Sequence, residues 1–226
     1  MRIPHLLFSV PILFSILYIG CSKSDVSPDC RHAEYRGAFF LNPESKDIVP
    51  YGPAMTKIVF SDSLGNEYFA DVLHYYTGLS KVLDLKNDTC LLDTVVLCEL
   101  ESISVWLTMW ELGMQFQVFL MPEVSFDDQY ELSTISDGLY VDLRFPFSDI
   151  PTTIVGVITD PRTNPDKTKT EPDLDTLRIH DKFFTDVYQG RKLDEGAYDL
   201  YYNAQFGIVG IENDSRSVSL KFERME

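Results

Sequence analysis

The chain is poor in the residues that usually carry chemistry. Of 226 residues, four are Cys, four are His and two are Trp. There is no C-x2-C pair, so the spacing of a structural zinc knuckle is missing. Neither H-x3-H nor H-E-x-x-H occurs, and there is no glycine-rich phosphate loop. The nearest approach to a G-x-S-x-G nucleophile elbow, Gly78-Leu79-Ser80-Lys81-Val82, lacks the second glycine that a sharp strand-to-helix turn needs. Basic residues are few: 19 Lys+Arg stand against 35 Asp+Glu, a net charge of −16. Each phosphate contact needs a Lys or Arg to displace counterions, so nucleic acid is excluded as a partner. No catalytic residue, cofactor or metal site is expected.

What the sequence does have begins at the amino terminus. Arg2 and His5 precede an almost wholly apolar run, Leu6–Ile19, interrupted by Pro11. As a helix these residues rise about 21 Å, short of a bilayer core of roughly 30 Å. That is the shape of a signal-peptide h-region rather than a permanent span. Residues 1–20 therefore read as a signal peptide. Their removal takes away one Arg and no acid, leaving 206 residues with a charge of −17.

The run ends in Tyr18-Ile19-Gly20-Cys21 and passes directly into the polar stretch SKSDVSPD. A small residue before Cys at the end of an h-region resembles a bacterial lipoprotein signal, of the looser kind found in Bacteroidota. The resemblance implies cleavage before Cys21, acylation of Cys21 and a lipidated tether over residues 21–34. Ser22 after the Cys implies sorting to the outer membrane, on its periplasmic or its cell-surface face. Several acyl chains on one residue give a stable anchor, where a single chain gives a marginal one. The expected partners are the membrane, through the lipid, and an envelope protein or glycan.

Beyond the tether the pattern has period two. Thr56–Ser61 and Glu67–His74 flank the turn-rich Asp62–Asn66, which reads as a hairpin. Thr94–Met109 is a long β-prone run, followed across Glu111-Leu112-Gly113 by Met114–Met121. Leu139, Val141, Leu143 and Phe145 alternate with polar residues, and Thr153–Thr159 reads as a buried strand with a bulge at Gly156. Asp71–Leu85 is the nearest thing to a helix, but Gly78 and its β-formers weaken it. Asp160–Asp175, with three prolines and five acids, reads as a loop. Leu177–Tyr188, Tyr198–Asn203, Phe206–Ile211 and Ser217–Glu223 supply the remaining strands. The expectation is an all-β protein, an antiparallel β-sandwich (immunoglobulin-like or related). Residues 35–159 form its core, and 176–226 either complete it or make a small β subdomain.

Phe184–Tyr188 followed by Leu200–Ile211, with its Phe206-Gly207-Ile208-Val209-Gly210-Ile211, resembles a closing hairpin of uncharacterised Bacteroidota lipoproteins. The resemblance implies a lineage and no activity.

Candidate sites are correspondingly modest. Cys30 and Cys90 sit in polar contexts and could pair as a disulfide, whereas Cys98 lies in the apolar VVLCEL as a buried thiol. His180 groups with Arg178 and Lys182 on what reads as a solvated strand face. Glu99 and Glu101 share a face about 7 Å apart, a spacing known in glycoside hydrolysis but commonplace on strands. Asp173 and Asp175 could offer oxygens to calcium, although an acidic linker explains them more simply. Trp106 and Trp110 project together on an ideal strand. They either close the end of the core or form a platform for sugar rings. Ser63, Thr94 and Thr176 follow the Asp-Ser/Thr-apolar pattern that resembles the Bacteroidota O-glycosylation site, with Ser63 and Thr176 in loop-like contexts. The first functional reading is a non-enzymatic interaction or scaffold module of the cell envelope, and the second is a glycan-binding or glycan-hydrolysing accessory protein.

Overall fold

Burial alternates without a break along Met114–Met121, and this is the pattern that drives the chain into strands with one dry face. The computed structural model describes residues 32–84, 94–126, 132–145, 151–163, 168–193, 197–213 and 216–226. The protein is all-β. Its strands are β1 (His32–Phe39), β2 (Lys57–Ser61), β3 (Glu67–Asp84), β4 (Thr94–Met109), β5 (Met114–Phe126), β6 (Leu132–Arg144) and β7 (Thr153–Asp160). They continue with β8 (Leu174–Ile179), β9 (Lys182–Gln189), β10 (Arg191–Lys192), β11 (Asp199–Asn203), β12 (Gly207–Asn213) and β13 (Val218–Met225). One short helix, α1 (Pro43–Lys46), starts at the Asn42 cap, whose side chain accepts the Glu44 N–H.

The strands form one sheet in the order β10-β7-β6-β5-β4-β3-β2-β13-β12-β11-β9-β8. Neighbours along this path are antiparallel, while β1 lies beside β4 in parallel. Only Gly190 separates β9, paired with β11, from β10, paired with β7. That single step brings the two ends of the sheet together and curls it into a half-barrel. Two hydrogen bonds hold the seam: Gly190 N–H to Leu200 O at 2.8 Å, and Thr153 Oγ1 to Tyr198 O at 2.7 Å. A side chain at Gly190 would collide with that of Thr153.

The concave face carries the core, including Val105, Leu107, Phe116, Val118, Leu139, Val141, Val155, Tyr202 and Ile211. Residues 40–56 cross it as a strap, adding Leu41, Ile48, Val49 and Tyr51 to the packing. On one side the strap is tied to β4, β6 and β7. The Leu41 N–H and the Lys46 ammonium reach Glu101, Asn42 N–H reaches Asp137, and Ser45 meets Thr159. On the other side, Tyr202 Oη donates to Ile48 O at 2.6 Å, and Tyr51 Oη accepts from Ile208 N–H at 2.7 Å. Burial pushes both phenols above their ordinary range, so both stay protonated and neutral.

Asp71–Asp84 is strand, as its β-formers indicated: Val72, Tyr75 and Tyr76 pair with β4. Several other expectations are corrected. Gly156 is in regular register opposite Tyr140, and the register shift falls instead between Asp137 and Gly138. The Tyr140 ring lies beside Gly156, at ordinary van der Waals distance from where a Cβ there would stand. Leu177–Tyr188 is not one run but β8 and β9, turning at His180 and Asp181. Within 160–175, Asp160 ends β7 and Leu174 begins β8, and Thr170 is pinned to Ile158 through both N–H and Oγ1. β13 pairs with β2, and β10 with β7, so the strands after residue 175 belong to the same sheet as those before it.

Candidate functional site

On β4 the residues Val105 and Leu107 point into the core, which turns Ser104, Trp106 and Thr108 to the outer face. The register then fixes what stands beside Trp106: His74 on β3, Gln117 on β5 and, one strand further, Asp142 on β6. A register shift between Val72 and His74 makes this alignment. Trp106 Nε1 donates to Ser104 Oγ at 3.1 Å, two residues back along the same strand. That bond holds the indole lengthwise along β4. Trp106 is 40% exposed, and Trp110, in the 3-10 turn Trp110–Leu112 that ends β4, is 62% exposed. These indoles do not close the core. Met109 and Met114 fill that place, both wholly buried, and Gly113 in the left-handed region turns the chain so that Trp110 faces outward.

The outer face is otherwise polar and partly unsatisfied. Asp142 and Arg144 pair at 2.6 Å and neutralise each other. His74 and Gln117 have no hydrogen-bond partner among the described residues. Thr108 is 1% exposed, and its buried hydroxyl likewise lacks one there. Ser102 and Ser104 on the same face are also buried. His74 and Gln117 carried no sequence motif; only strand register brings them beside the indole.

Glu99 and Glu101 do share one face, but each is engaged by the chain that leads into the strap. Tyr35 Oη donates to Glu99 at 3.0 Å. Leu41 N–H and Lys46 Nζ occupy the two oxygens of Glu101 at 3.0 and 2.7 Å. Neither carboxylate is left to act as a nucleophile opposite a free acid. Asp173 Oδ2 accepts the Gln189 N–H, and no cluster of three metal-ligating side chains exists among the described residues. Cys98 is buried. Cys21, Cys30 and Cys90 lie outside the described residues.

His180 departs from its expected place on a strand. It sits at the β8–β9 turn with φ 55°, and its Nε2 lies 2.9 Å from Ser219 Oγ, which in turn donates to Glu212. It borders a cleft of about 780 Å³ between this turn, the β2–β3 turn and β13. The cleft charges are largely matched internally: Lys221 bridges Asp181 and Glu223, and Arg224 bridges Glu67 and Glu226. Lys182 is drawn inward as well. Its ammonium donates to Phe222 O at 2.9 Å over the Phe222 ring, and burial lowers its pKa. Such a cleft is a self-complementary surface with no reactive group set apart.

Of the modification candidates, Ser63 is exposed in the β2–β3 turn, where Asp62 Oδ1 accepts the Leu64 and Asn66 N–H groups. Thr176 is exposed too, but on strand β8 opposite Thr185, not in a loop. Thr94 begins β4.

No protein-family model, no curated protein and no solved structure matches this chain. The outer face of β4 therefore has to be read from its own chemistry. Among the described residues no helix is long and apolar enough to cross a membrane.

Proposed function

We propose that the protein is a lipid-anchored interaction module of the cell envelope, held at the outer membrane by acylated Cys21. The observation that carries this reading is the Leu6–Ile19 run ending at Gly20-Cys21 and continuing without a break into a polar tether. The strongly acidic chain is repelled by an anionic membrane surface, so the lipid does the anchoring. A half-barrel crossed by its own strap is suited to presenting an outer surface, since its interior is filled by side chains. The test is Cys21→Ser in the native host. The expected result is release of the protein from the membrane fraction and loss of metabolic labelling by palmitate. Membrane retention of the variant would refute the anchor.

A second reading, glycan binding, is favoured by one specific observation: Trp106, on the outer face of β4, and Trp110, in the turn that follows it, are both exposed. Exposed indoles on a rigid sheet are expensive to keep in water unless a flat partner covers them.

A further inference from the structure

Resting on the glycan-binding reading, we infer that the outer face of β3–β5 centred on Trp106 is a subsite for an uncharged saccharide. In this subsite one pyranose ring stacks on the indole, and its hydroxyls bond to His74 and Gln117.

Three features of the site point to this ligand class. The first is the orientation of the ring. Bonding of Nε1 to Ser104 leaves the indole without a free donor and holds it along the strand, so the ring face is what it offers a ligand. The axial C–H bonds of a sugar ring fit such a face, because its π cloud carries partial negative charge. The second is the flanking chemistry. His74 and Gln117 stand on either side of Trp106 at strand spacings of about 4.8 Å, close to the width of a pyranose ring. Both are planar groups that combine donor and acceptor capacity, and neither bonds within the protein among the described residues. Vicinal hydroxyls, each a donor and an acceptor, are the matching partner.

The third is charge, which selects among saccharides. The chain carries −16 overall, and the one ion pair of this face, Asp142–Arg144, closes on itself. Among the described residues no further cation stands on these strands' outer rungs to hold a uronate or a sulfate, and the field of the whole protein repels them.

The test uses the full chain in a zwitterionic, sugar-free detergent. It is run by affinity electrophoresis in gels containing laminarin, amylose, galactomannan or polygalacturonate. The expected result is retardation by at least one of the neutral polymers and none by polygalacturonate. Trp106→Ala should weaken that retardation tenfold or more, and Gln117→Ala severalfold, with far-ultraviolet circular dichroism unchanged in both. Retardation that survives both substitutions would overturn this subsite while leaving glycan binding in place. Retardation by polygalacturonate alone would overturn the charge argument and with it the proposal. No retardation in any gel would remove the glycan reading itself, and the Cys21 anchor would be untouched by that result.

Discussion

Tyr202 on β11 donates its phenolic hydrogen to the carbonyl of Ile48, 154 residues earlier in the chain, at 2.6 Å. The bond joins the strap to the far wall of the half-barrel, and neither end has access to water. Tyr202→Phe keeps the ring and leaves the Ile48 carbonyl buried without its donor. The expected loss is about 1–3 kcal/mol, read as a lower urea midpoint with an unchanged slope.

Gly207 has φ 77°, and a Cβ there would run into the Tyr51 hydroxyl, the same atom that receives the Ile208 N–H. Gly207→Ala combines left-handed backbone strain with that collision. It is expected to cost at least about 2 kcal/mol. Gly52→Ala, where nothing lies within 4 Å of the new methyl, is the control and should change stability little.

These two sites mark where sequence reading stops. Thr94–Met109 was legible to the residue because alternation and β-branched residues agree along its whole length. The division of Leu177–Tyr188 was not. Its turn is made by His180 in the left-handed region, with no glycine or proline to signal it. β1 fell partly inside the expected tether, since a parallel partner 62 residues away leaves no local trace. The exposure of the tryptophans was misjudged because Met109 and Met114 took the core end they were expected to fill. The strap was illegible altogether: Leu41, Ile48, Val49 and Tyr51 follow no period, and only the opposite wall explains them.

Asp137 is wholly buried and is paired with Arg162, while Asn42 N–H bonds its other oxygen at 2.8 Å. Removing the cation would leave a carboxylate in the interior with only amide support. Arg162→Ala is expected to cost about 3 kcal/mol, toward the lower end for buried pairs because the arginine is itself a quarter exposed. The strap should loosen first, seen as faster hydrogen exchange at Leu41 and Asn42 than in β11 or β12.

The Asp181–Lys221–Glu223 cluster predicts a pH dependence with two limbs. The hydrogen bond from Lys221 holds the Asp181 carboxyl below its ordinary 3.8. Desolvation pushes Glu223 upward, but the Ser61 hydroxyl and Lys221 outweigh it, and the net shift is below 4.5. Lys221 is raised above 10.5, chiefly by Asp181. Depressed acids stabilise fully above their unfolded values and lose that effect as pH falls through their folded ones; a raised lysine does the reverse on the alkaline side. The difference in Tm between the protein and Lys221→Met should therefore be greatest between pH 4.5 and 10.5. It should shrink outside that window on both sides, and more so in low salt.

The position of β13 in the sheet bears on how the fold is completed. It lies between β2 and β12, inside the path and not at an edge. Without it β2 has one empty side, and only the seam at Gly190 still joins the strands on either side of the gap. Its pairing with β2 joins strands far apart in sequence, so closing the sheet is a slow, non-local step. Deletion of residues 218–226 should accordingly open the sheet between β2 and β12 instead of trimming an edge.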